Sequence, residues 1–114
     1  MDLVVACYRL SSRFPKSELY GLISQLQRAA VSVPANIAEG KGRGATGAYL
    51  NHLSIAAGLL AELDTHLGVA ERLGYVSESE APSVTQQLEE VGRMLTGLRK
   101  SLDAMPSYIL TPDS

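Results

Sequence analysis

Tryptophan is absent from this 114-residue chain, and cysteine and phenylalanine occur once each, as Cys7 and Phe14. A single thiol closes no intrachain disulfide, so the fold rests on packing. Six aromatic residues and few β-branched clusters argue against a sandwich or barrel. Alanine and leucine dominate instead, which suits close helix packing. There is no basic excess either: the net charge is −2, which argues against a strong general attraction to phosphate backbones. No charged-then-apolar leader opens the chain, and Gly, Glu, Asp and His interrupt each apolar segment short of the ~20 residues that span a bilayer. A cytoplasmic protein without a membrane partner is expected. The chain also lacks a linker-like tract, and its length suits one domain.

What is there is helical periodicity. Leu3, Ala6, Cys7 and Leu10 fall at spacings of three and four, the stripe of a short first helix over 2–12, ended by Phe14-Pro15. Ser17 is placed to cap a second helix, whose apolar face runs Leu19, Leu22, Ile23, Leu26, Ala29, Ala30, Val33 and Ile37. Gly40, Gly42 and Gly44 are expected to terminate it. Tyr49, Leu53, Ala56, Leu60, Leu63, Leu67 and Ala70 predict a third helix over 45–73, stopped by Gly74. The pattern Ser77-x-x-Glu80 reads as a capping box opening a fourth helix, with Pro82 in its first turn and Val84, Leu88, Val91, Leu95, Leu98, Leu102 and Met105 along one side. Unbroken heptads on two helices joined by short connections predict an all-α, antiparallel up-down four-helix bundle over residues 1–105, with 106–114 as a C-terminal tail.

The segment QLQRAAVSVPANIAEGKGR, Gln25 to Arg43, is not called for by bundle packing. Pro34 removes a backbone donor inside the second helix and clashes with the carbonyl of residue 30, at about 3 kcal/mol in an unsupported helix. A proline-kinked second helix is therefore expected, supported by outside contacts. Ser32, Asn36 and Glu39 surround the proline, and Asn36 and Glu39, three apart, share a face. They are expected to form a buried polar network at the kink, serving packing register, a subunit contact or a ligand pocket. Arg28, eleven residues before Glu39, is a candidate to pair with it between protomers.

The stretches FPKSELYGLISQLQRAAVSVPANIAEG, GYV and GRMLTGL carry a family resemblance that extends from Tyr8 to Leu102. The chain resembles the four-helix-bundle proteins of 23S rRNA intervening sequences, often mislabelled as ribosomal proteins. That family resembles in turn the accessory proteins of diversity-generating retroelements. The resemblance implies a homopentameric ring, with RNA or a nucleic-acid-handling protein as partner. In the retroelement group the surface is strongly basic, whereas this chain is net acidic. Relatives also carry a longer segment, with an aromatic, before the equivalent of Val4; either the bundle opens at one end or part of the natural N-terminus is missing from this chain, and a short helix one would leave apolar surface on helices three and four for association to cover.

The chemistry the residues suggest is limited. Gly40-Lys41-Gly42-Arg43-Gly44 places two cations and flexible donors before a helix N-terminus, a setting for an RNA phosphate. It lacks the GK[ST] ending of a nucleotide-hydrolysing loop and follows a helix. Residues 1–43 hold six basic groups against three acidic ones, while 44–114 hold four against nine, so a local basic face is expected despite the acidic total. Glu62 and His66 lie four apart, but His52 is ~21 Å away along the helix, too far to share a metal. Cys7 is expected in the core, and no nucleophile arrangement is present. The expectation is a non-enzymatic oligomeric scaffold without cofactor or metal, with Lys41, Arg43 and Arg28 as partner contacts. The alternative is a small-molecule or metal-binding bundle using Asn36/Glu39 or Glu62/His66.

Overall fold

In the computed structural model, which describes residues 1–104, every regular element is helical. Helix α1 spans Asp2–Ser11, α2 Ser24–Gly42, α3 Thr46–Arg72 and α4 Ala81–Ala104. A 3₁₀ turn, Lys16–Glu18, and a π-turn, Leu19–Ile23, lead into α2. Gly44 and Gly74 adopt φ of +76° and +80°, left-handed conformations that stop the helices before them at little steric cost. The expected Met105 position and the 106–114 tail lie outside the described residues.

Neighbouring helices meet in opposite order. Gly40 of α2 lies against Tyr49 and His52 of α3, while Arg28 and Ser32, farther from the turn, share a groove with Leu59 and Glu62. Leu67 and Glu71 of α3 similarly line a crevice with Ala81 and Val84, while Gly92 lies beside Leu60. The core has two parts. Leu3, Cys7 and Leu10 of α1 pack with Leu26, Ala30, Leu63, Leu67 and Leu88 at one end, where all four helices contribute. Val33, Leu53, Ala56 and Leu95 form the other, built from α2, α3 and α4. Leu60 and Val91 pack against both.

Three local expectations are corrected. Ser17 caps nothing: it lies within the 3₁₀ turn, whose N-cap is Pro15, and α2 has no side-chain cap. The wider π-turn then shifts the helical phase, so Ile23 is buried but Leu19 is left 50% exposed and off the core stripe. Gly40 does not end α2; the helix passes through it, has Gly42 as its last residue, and Gly44 turns the chain. At the other corner Ser77 does act on Glu80, whose N–H donates to Ser77 Oγ at 3.3 Å. However, α4 proper begins at Ala81, and the Glu80 carboxylate accepts from the Ser77 hydroxyl at 2.9 Å. Arg13 also pairs with Glu80, tying the α1–α2 connection to the α3–α4 connection. Beside it Phe14 and Tyr75 stack with ring centroids 5.4 Å apart, and Tyr75 donates to Glu18 at 2.9 Å.

The expectation that no helix approaches membrane-spanning apolarity fails for α3. Its 27 residues contain an 18-residue window of mean hydropathy 1.2, of which only 33% is buried. Leu53, Ala56, Leu63, Leu67 and Ala70 of this helix nonetheless face the bundle core.

One polar detail, the burial of Ser11, was not legible in the periodicity, whereas the core position expected of Cys7 is met. Ser11 is fully buried, accepts from Gln27 at 2.9 Å and donates to its own helix at Tyr8 O, linking α1 to α2. Cys7 is equally buried, and burial pushes its thiol up from 9.0 to about 11. A folded-state pKa raised above the unfolded one contributes stability that is complete below pH 9 and lost as pH climbs through about 11. Two units correspond to roughly 2–3 kcal/mol. Urea denaturation across pH 8 to 11.5 should therefore show an alkaline loss of that order in the native chain that is missing from Cys7→Ala; superimposable slopes for the two would refute it.

Candidate functional site

The α2–α3 hairpin gathers most of the residues that the sequence marks. Its turn is short because Gly44 takes the left-handed conformation and Ala45 is extended, after which α3 starts at Thr46. Ala45 carries no side-chain oxygen, so the first turn of this long helix has no side-chain cap, and its amides and dipole face the turn. The Thr46 hydroxyl oxygen is buried without a hydrogen-bond partner. Lys41, five residues earlier in the last turn of α2, is exposed.

Arg43 is engaged differently. Its guanidinium donates to Glu39 at 2.9 Å, with both side chains 55% exposed. That hydrogen bond, with the nearby His52 as a further influence, holds the Glu39 carboxyl below its usual range. Glu39 therefore stands outside the buried network expected around Pro34, because Arg43, one turn on, is an in-chain partner at the surface.

The inner seam is built by Asn36. Its Nδ2 donates to the Ser32 carbonyl at 2.8 Å, which leaves Oδ1 facing His52 Nδ1 at 3.0 Å. An acceptor there requires the proton on Nδ1 of His52. Ser32 thus takes part through its main chain, and Pro34, half-buried, sits between the two residues within a helix that runs on to Gly42. One turn farther, Gly40 is buried against the same histidine: a Cβ built there would lie 2.6 Å from His52 Cβ and 3.2 Å from Tyr49 Cδ1. His52 therefore closes both the polar and the steric contact between α2 and α3.

Arg28 does not join this group. It is exposed and donates to Ser24 at 3.5 Å, fifteen residues and ~22 Å of helix before Arg43. Glu62 and His66 pair at 3.2 Å on α3, away from His52. Among the described residues no three His, Cys, Asp or Glu side chains lie close enough to hold a metal ion.

His52 and Gly40 are the residues whose importance the sequence reading missed. A signal for them exists: across a tight hairpin, residues equidistant from the turn face one another, and positions 36 and 52 are each eight residues from Gly44.

Residues 1–97 match the family profile of the 23S rRNA-intervening sequence protein, from α1 through most of α4. The chain belongs to that family. The proline-bearing α2, the glycine turn and the uncapped start of α3 all fall within the matched part of this 23S rRNA-intervening sequence protein. No curated protein matches the chain.

The close approach at Gly40 sets an expected pair of outcomes. Gly40→Ala should lower stability by about 1–3 kcal/mol through overpacking against His52. Gly42→Ala, with nothing within 4 Å of its Cβ, should be neutral or stabilising by up to about 0.5 kcal/mol. Thermal melts of the two variants check this, and equal effects would contradict the packing described.

Proposed function

We propose that this chain is a non-enzymatic, self-associating scaffold that presents the α2–α3 turn to the phosphates of structured RNA. The observation that carries the reading is the uncapped N-terminus of α3, with Lys41, Arg43 and the unpartnered Thr46 hydroxyl around it. Such an end offers backbone donors and a positive dipole to an oxyanion. Membership of the 23S rRNA-intervening sequence family supports a setting near RNA.

The physics also bounds the strength. The chain is net acidic, and Arg43 already serves Glu39, so one subunit offers little more than Lys41 as an uncompensated cation at the turn. Weak individual sites become useful when repeated on a rigid assembly, which is why self-association belongs to the proposal. The five-membered ring implied by the sequence resemblance would bring five such turns to one RNA.

With one phosphate contact per Lys41 and five copies, the logarithm of the binding constant should fall against log salt with a slope of about −4. Fluorescence anisotropy with a structured RNA at two salt concentrations reads this directly. Lys41→Glu combined with Arg43→Glu should abolish binding without changing the oligomer mass, and Glu39→Gln, by releasing Arg43, should tighten it. No binding of the native chain at low salt would overturn the RNA reading in favour of a protein partner.

A further inference from the structure

Two surface features away from the α2–α3 turn are complementary to each other. The first is a projection. The π-turn that leads into α2 holds Leu19 at 50% and Tyr20 at 92% exposure, an apolar residue and an aromatic ring presented to solvent together. Lys16 lies four residues before Tyr20, and Arg28 lines the same shallow groove as Tyr20. Neither cation enters an ion pair among the described residues.

The second is a recess. Helices α3 and α4 leave between them a groove of about 320 Å³, with Ala57, Leu60, Gly92 and Leu95 among its lining. Alanine and glycine at these positions keep the groove open and its floor apolar. Asp64 and Glu89 stand at one end and Arg99 at the other, and neither acid is in an ion pair among the described residues. This is also the helix whose most apolar window is only one-third buried.

We propose that a second copy of this chain seats its Leu19–Tyr20 projection in the α3–α4 groove, with its Lys16 and Arg28 directed at Asp64 and Glu89. The inference rests on the self-association put forward above and supplies its contact face. Charge selects this occupant: the cationic excess of the chain lies in residues 1–43 and the acidic excess in 44–114, so the two halves of different copies attract. An exposed tyrosine entering an apolar recess is the kind of anchor that dominates interfaces. Tyr20 lies on the α2 side of α3, against Leu59 and Glu62, whereas the groove lies on the α4 side. The contact is therefore head-to-tail, and a head-to-tail contact closes into a ring when its rotation permits.

Two variants break opposite halves of the contact. Ala61→Trp fills the groove from an exposed position and keeps the projection, while Tyr20→Ser removes the projection and keeps the groove. Each alone, checked for a native helical spectrum and cooperative melt, should run as a monomer by light scattering. Mixed in equal amounts, they should form a dimer and nothing larger, since one intact projection meets one intact groove. Exchanging the charges, with Asp64→Lys and Glu89→Lys on one chain and Lys16→Glu and Arg28→Glu on the other, should likewise restore pairing only in the mixture. If Ala61→Trp retains the native oligomer mass, this face is wrong while the scaffold reading stands. Monomers that fail to pair on mixing overturn the head-to-tail contact. A native chain that is itself monomeric overturns both.

Discussion

The closeness of α2 to α3 at Gly40 is the constraint on which the rest of the structure depends. A hydrogen in place of a side chain lets the α2 backbone come within contact of His52 and Tyr49, and no other residue type fits without displacement. Once that distance is set, Asn36 meets His52, Val33 packs with Leu53 and Ala56, and the hairpin becomes the frame to which α1 and α4 add. The hydrogen bond from His52 to Asn36 then fixes the register that the smooth apolar surfaces would leave open. One-turn slips along two alanine- and leucine-rich helices cost little apolar area, whereas separating a half-buried Asn–His pair leaves both groups unsatisfied.

The helical elements were legible because α3 and α4 repeat apolar residues at threes and fours over many turns, and the glycines at 44 and 74 have one physical use. The start of α2 was not. Local patterning places Leu19 on the core stripe, but the stripe assumes a constant 3.6-residue period, and the π-turn at Leu19–Ile23 breaks it. Reading a helix through Ser17 therefore inverts the fate of Leu19, from core to surface. The start of α4 failed more gently: Ser77 does bond Glu80, but as part of a turn preceding the helix.

The site divides in the same way. Lys41, Arg43 and Asn36 stand out in the sequence because a charged glycine turn and a polar residue beside a helix-interior proline have few packing uses. Their partners depended on tertiary distance. Glu39 found Arg43 at the surface, and Asn36 reached across to α3, so the imagined single network is two: an exposed ion pair and an inner seam. Both converge on the same turn, which is how a packing device and a cationic surface come to share one short stretch of sequence. The inner seam ties α2 to α3, and in the proposed role a fixed hairpin is what lets a few weak surface contacts add.

The account stands on the Asn36–His52 bond acting as a coupled register device between α2 and α3. A double-mutant cycle on stability, using Asn36→Ala, His52→Ala and the pair, measures that coupling. The expected result is an interaction of about 0.5–1.5 kcal/mol, the double variant losing less than the two single losses together. Strict additivity would contradict it, leaving Gly40 as a packing feature without the polar register set beside it.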